Sequence, residues 1–188
     1  GLKPKAGSSI AIYGCGAVGL SAVMAAKIAG CNTIIAVDIN YGRLALAKEL
    51  GATHTINSKE NDIITTVRSI AGGKGVNYGV EATGNSQVAK AALSALTNYG
   101  ELALIAAGYQ EVAIDLNTEF LFGTKKLSGY IAGLTPAKYF VPKLIEYYRR
   151  GMFPFDRLIT FYDFEQINEA FSDSRTGVSI KPILRMKK

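Results

Sequence analysis

The sequence predicts an α/β fold, a parallel sheet wound with helices on both faces, from three observations. Short apolar runs rich in β-branched residues alternate with helical runs at near-regular spacing. The first run, Ile10-Ala11-Ile12-Tyr13, breaks at a turn reading Gly14-Cys15-Gly16-Ala17-Val18-Gly19 and passes at once into a helical stretch. The second run, TIIAVD, closes on Asp38, 19 residues beyond Gly19.

The turn has a distinct physical use for each glycine. Gly14 takes the sharp bend off the strand, Gly16 leaves the backbone bare where a pyrophosphate could lie, and Gly19 lets helix and strand pack closely. The helix then offers unpaired N–H groups and the positive end of its dipole to the phosphates. A glycine turn alone is weak evidence, and Asp38 is the confirming residue. An acid at that offset accepts hydrogen bonds from the adenosine ribose diol and repels a 2'-phosphate, so NAD is favoured over NADP.

The remaining elements follow in order. The first helix runs from Ala17 to Ala29 and stops at Gly30; residues 33–38 form the second strand, and a helix over 41–50 ends at Gly51. Residues 54–56 make a weak third strand. A helix then starts at Asn61-Asp62 and reaches Ala71, before the loop Gly72-Gly73-Lys74-Gly75. The alternation repeats with a strand at 78–82, a helix at 86–96, a strand at 102–107, a helical turn at 117–122 and a sixth strand at 127–132. Two mononucleotide-binding halves in the order 3-2-1-4-5-6, a Rossmann sheet, are the simplest arrangement, with a dinucleotide crossing between the first and fourth strands.

Beyond Pro136 the pattern changes. Tyr139, Phe140, Leu144, Ile145 and Tyr148 fall at helical spacing on a segment ending at Gly151, expected to pack on the sheet. An apolar run at 158–162, an amphipathic helix at 164–171 and a strand-like run at 180–186 are too short for a second core. The expected division is a dinucleotide-binding domain over 1–152 and a C-terminal segment over 153–188 belonging to another domain.

The chain has 188 residues, 48% of them hydrophobic, enough for a proper core. No apolar run is long enough to span a bilayer and no leader pattern opens the chain, so a cytoplasmic location is the default. The net charge of +6 divides into +2 over 1–130 and +4 over 131–188, a mild excess without a basic, aromatic-interleaved stripe. Nucleic-acid and membrane partners are not expected. Two cysteines and a single histidine, His54, leave no plausible zinc constellation.

Other chemistry-bearing residues have plain readings. His54 has no partner motif. Cys15 is a small residue suited to the turn, although a thiol at a helix start could have a lowered pKa and react. Cys31 opens a strand and belongs to the core, and Lys125-Lys126 and Arg149-Arg150 read as solvated charge pairs.

The ordered set GCGAVGL, VDIN followed by Arg43, KELGATHTIN, VEATG, FPFDRLITFYDFEQINEAF and GVSIKPILRM resembles the zinc-dependent medium-chain alcohol dehydrogenases, most closely the bacterial aryl- or benzyl-alcohol group. The resemblance implies a Rossmann coenzyme domain inserted into a GroES-like catalytic domain that carries the zinc ligands. This chain then corresponds to the coenzyme domain plus a C-terminal return segment, without ligands for zinc, and inactive alone. The resemblance places Gly14, Gly16, Ala17, Val18 and Gly19 at the pyrophosphate and Asp38 and Arg43 at the adenosine ribose, with Cys15 and Ile39 also counted among the cofactor-binding residues. It places Thr83 near the nicotinamide ribose, Ile105, Ala106, Tyr130 and Ala132 at the carboxamide, and Lys181 at the pyrophosphate from the return segment. It also implies a small alcohol substrate, aromatic in the nearest group, and a homodimer through the edge strand at 127–132.

Two other functions compete. Zinc-free quinone or enoyl reductases of the wider superfamily commonly prefer NADPH, which Asp38 argues against. A non-enzymatic dinucleotide-binding module is the reading from a different class.

Overall fold

A computed structural model describes residues 1–131 and 133–186 of the chain. Six strands form one parallel sheet: β1 (Ser9–Tyr13), β2 (Thr33–Asp38), β3 (His54–Asn57), β4 (Val76–Glu81), β5 (Leu96–Leu104) and β6 (Lys126–Gly129). Their order is β3-β2-β1-β4-β5-β6, as the alternating pattern predicts. Helices α1 (Ala17–Ile28), α2 (Tyr41–Leu50), α3 (Ile63–Ile70) and α4 (Ser86–Ser94) make the crossovers.

The period of two along the strands divides the core. Ile10 and Ile12 of β1, with Ile34 and Ala36 of β2, face Leu20, Val23, Met24 and Leu44 of α1 and α2. Ala11, Tyr13, Ile35 and Val37 face the opposite layer, with Val67 of α3 and Leu93 of α4. Burial of both faces explains why these strands read as continuous apolar runs.

Several boundaries differ from expectation for identifiable reasons. Helix α4 stops at Ser94 because the Val76 amide takes the Ala95 carbonyl and Leu96 pairs beside Val76, so β5 begins earlier than 102. The β5 ladder ends at Leu104, and β6 ends opposite it at Gly129; the Tyr130 amide still reaches the Leu104 carbonyl at 2.9 Å. The edge strand is therefore shorter than 127–132, and Ala132 lies outside the described residues.

Lys125 is not on a solvated face. It is buried and ion-paired with Glu119 at 2.5 Å, and its ammonium also donates to the Leu93 carbonyl at 3.0 Å, closing the C-terminal end of α4. This pins the π-helical turn Asn117–Phe122 to α4.

Helix α5 (Ala137–Arg149) does not close on the sheet: none of its residues is buried. Its Phe140, Leu144 and Tyr147 face Ile10, Val80 and small residues of α1, Ala22 and Ala25, across an apolar cavity of about 550 Å³. The alanines leave room that the large side chains of α5 span without filling.

The C-terminal segment forms a parallel pair, β7 (Ile159–Asp163) and β8 (Lys181–Arg185), with α6 (Ile167–Thr176) between them. Among the described residues it makes no second core. Leu158 is buried in the α1/α2 layer, and Phe153 and Ile180 pack against that layer. Arg157 pairs with Glu49 of α2. Phe161, Phe164 and Phe171 remain exposed, whereas Tyr162 is buried.

Candidate functional site

A cavity of about 320 Å³ opens at the C-terminal ends of β1, β2 and β4, where the strand order reverses. Gly14, Gly16, Asp38, Ile39, Arg43 and Thr83 line it together with Tyr13, Ser58, Ile63 and Val88. Such a crevice at a topological switch point is where open α/β sheets take ligands.

The three glycines of the turn separate cleanly. Gly14 has φ +89°, and a Cβ there would lie 2.8 Å from Thr83 Cγ2. A Cβ on Gly19 would fall 1.7 Å from the Gly14 carbonyl oxygen. Protein packing therefore requires both. Around Gly16 no protein atom lies within 4 Å of a Cβ position, so its bareness serves nothing inside the chain.

Helices α2, α3 and α4 begin with Asn40, Asp62 and Asn85, whose side chains accept first-turn amides. Helix α1 begins at Gly16 with no side-chain cap, and its first intrahelical bond is Leu20 N to Gly16 O. The amides of Ala17, Val18 and Gly19 thus have no helical partner, and together with the open backbone of Gly16 they suit an anionic group.

Asp38 is 8% exposed, and its carboxylate is already engaged. Oδ2 accepts the Cys15 amide at 2.6 Å, and Oδ1 accepts the Asn40 amide at 2.8 Å. Each oxygen keeps one further acceptor position. Asp38 therefore does two things: it holds the glycine turn in shape and offers acceptors, and only acceptors, to a ligand.

Cys15 contributes its backbone alone. Its side chain turns into the α1/α2 layer, fully buried, with Sγ 3.9 Å from the Val37 carbonyl. Burial, reinforced by the Asp38 charge and only partly offset by Arg43, pushes the thiol up to about 12. The reactive reading fails because desolvation of a buried thiolate outweighs the helix dipole.

Arg43 lines the cavity, and its guanidinium lies against Gly177, where a Cβ would meet Nη2 at 3.0 Å. Its buried Nε has no hydrogen-bond partner. Ile105, Ala106 and Tyr130 sit further along the same sheet edge, at the ends of β5 and β6, and outside this cavity. Val18 is exposed on the first turn of α1. Lys181 is exposed at the start of β8, paired there with Ile159 of β7, and its side chain makes no hydrogen bond or ion pair with the described residues. His54 is exposed, bonded through Nδ1 only to neighbouring Thr53.

One residue escaped the sequence reading. Glu81, at the end of β4 in VEATG, is fully buried beneath Thr83 and Tyr109. The Tyr109 phenol is raised above its usual range by burial and by its hydrogen bond to Glu81. The signal available in sequence was an acid closing a strand at the switch point; Tyr109, 28 residues on, carried none.

Among the described residues no group of three or more His, Cys, Asp or Glu is placed to hold a metal ion, and no helix is long and apolar enough to cross a membrane.

A family model described as zinc-binding dehydrogenase matches residues 17–146. Geraniol dehydrogenase of Castellaniella defragrans is 33% identical over 95% of this chain and 48% of its own length. A crystal structure of an alcohol dehydrogenase zinc-binding domain protein from Burkholderia ambifaria superposes with a TM-score of 0.94 at 47% identity, over 98% of this chain and 50% of that one. Benzyl alcohol dehydrogenase from Acinetobacter calcoaceticus superposes with a TM-score of 0.95 at 43% identity, over 99% and 51%. The chain thus spans about half the length of these relatives.

Proposed function

The chain belongs to the zinc-binding dehydrogenase family, and from that premise we propose that it is the coenzyme-binding part of an NAD-dependent alcohol dehydrogenase. The observation that carries the proposal is the pairing of Gly16, open to the cavity with no internal reason to be glycine, with the acceptor-only Asp38.

Bound NAD⁺ supplies the hydride acceptor for oxidation of an alcohol to an aldehyde or ketone. The residues of this chain orient it. The Gly14–Gly19 turn and the free amides of α1 bear the pyrophosphate, and Asp38, Ile39 and Arg43 receive the adenosine ribose. Thr83 receives the nicotinamide ribose. Backbone groups of Ile105, Ala106 and Tyr130 are assigned to the carboxamide and Lys181 to the pyrophosphate, together with Ala132, which lies outside the described residues.

The donor set of the described residues does not fit zinc. In this proposal a full-length enzyme holds the metal with residues outside this chain, and the alcohol binds there too. The two named relatives act on geraniol and benzyl alcohol, and an alcohol whose hydroxymethyl carbon adjoins an sp² carbon, aromatic in the second case, is the proposed substrate class. We also assign residues 1–152 to the coenzyme domain, 153–188 to the return segment, the β6 edge to a homodimer contact, and the enzyme to the cytoplasm.

The test is an equilibrium titration of the chain with NADH and NADPH, followed by cofactor fluorescence. NADH is expected to bind more tightly by at least about tenfold, because a 2'-phosphate would face the Asp38 carboxylate. Tighter binding of NADPH would overturn the proposal in favour of the reductase reading.

A further inference from the structure

Glu81 is a buried acid without a cation. It is 0% exposed, and none of the ion pairs among the described residues includes it. Four donors surround its carboxylate instead. Oε1 accepts the Thr83 amide at 2.8 Å and the Thr83 hydroxyl; Oε2 accepts the Gly84 amide at 3.2 Å and the Tyr109 hydroxyl. A carboxylate has about four acceptor positions, and here each has a partner. Two of those partners are amides, which can only donate.

The consequence falls on Thr83, which lines the cavity. A hydroxyl has one proton and two lone pairs. The Thr83 proton goes to Glu81, and one lone pair takes the Asn85 amide at 3.0 Å. Its methyl lies toward Gly14, close enough to forbid a Cβ there, which keeps the hydroxyl on the Glu81 side. One lone pair remains, so toward a ligand Thr83 can accept and cannot donate.

We propose that Glu81 is a positioning residue that fixes Thr83 as an acceptor, making this end of the cavity selective for a ligand hydroxyl that donates. The inference rests on the coenzyme reading and deepens it. Asp38 is acceptor-only at one end of the cavity and Thr83 at the other, so the matching ligand carries a free donor hydroxyl at each end. A dinucleotide with two unmodified ribose diols has that pattern, and phosphate or carbonyl oxygens at either position do not. Glu81 also ties the segment after β5 to this end through Tyr109, beside the Ser86 hydroxyl's bonds with Gln110.

The experiment titrates the parent, Glu81→Gln, Thr83→Val, Thr83→Ser and the Glu81→Gln/Thr83→Val double variant with NADH, and with ADP, which lacks the second ribose. Glu81→Gln and Thr83→Val are each expected to weaken NADH by about tenfold, the loss of one charge-supported hydrogen bond, with ADP binding changed by less than about twofold. The double variant should bind NADH no more weakly than Thr83→Val, and Thr83→Ser, which keeps the hydroxyl and loses the methyl that fixes its direction, should bind more tightly than Thr83→Val and more weakly than the parent. Equal weakening of NADH and ADP by Glu81→Gln, or additive losses in the double variant, would overturn the assignment. A parent that binds neither nucleotide would overturn the coenzyme reading, and this assignment with it. One measurement needs no variant: an NAD analogue with fluorine in place of the nicotinamide-ribose hydroxyls should bind the parent about tenfold more weakly than NAD, and equal binding would overturn the assignment.

Discussion

Asp38→Ala is expected to weaken NADH binding by about a hundredfold and to abolish the preference over NADPH without making the protein a good NADPH binder. A simple specificity residue would behave otherwise: removing its charge would admit the 2'-phosphate and leave the rest of the site intact. Here the same carboxylate accepts the Cys15 and Asn40 amides at 2.6 and 2.8 Å. Truncation strands the Cys15 amide in a buried setting, a loss of roughly 1–3 kcal/mol per unsatisfied group, and loosens the turn to which the proposal assigns the pyrophosphate. Both nucleotides depend on that turn, so both lose affinity. Titration with the two cofactors checks this, and a variant that binds NADPH as tightly as the parent binds NADH would contradict it.

Two glycine substitutions in the same turn should have opposite effects. Gly19→Ala places a methyl 1.7 Å from the Gly14 carbonyl oxygen, a backbone atom that cannot move without lifting α1 from β1. A loss of more than about 3 kcal/mol in folding stability is expected, at or beyond the upper range for overpacked sites. Gly16→Ala meets no protein atom within 4 Å and keeps a backbone of φ −75°, ψ −172° that any residue adopts. Its stability should fall by no more than about 1 kcal/mol, while NADH affinity drops at least about tenfold as the methyl enters the phosphate position. Urea midpoints and cofactor titrations on the two variants read both quantities. Comparable stability losses in the two would contradict the division between a packing glycine and a ligand glycine.

The parts of the fold legible in sequence are those set by local pattern. The runs at 33–38 and 41–50 coincide with β2 and α2, because an apolar β-branched run ends at an acid and a helix ends at Gly51. The turn at 14–19 and Asp38 came together as the spacing implied, within one cavity. What was hidden depends on contacts distant in sequence. The direction of the Cys15 side chain follows from the α1/α2 packing, and the burial of Lys125 follows from its pairing with Glu119 below α4. The length of β6 is set by where β5 ends, and the importance of Glu81 by a tyrosine on a different loop. Lys181 was placed at the pyrophosphate by resemblance, and its side chain stands exposed and unpaired among the described residues.

The most direct test of the switch-point cavity as the dinucleotide site is an amide NMR titration of the ¹⁵N-labelled chain with NAD⁺ and, separately, ADP. The largest NAD⁺-induced shifts are expected at the Gly16, Ala17 and Val18 amides, at Ile39, and at Thr83 and Gly84. ADP should move the first two groups and leave the third close to its free position. Shifts confined to residues away from this sheet edge, such as α5 or α6, would contradict the assignment of the cavity.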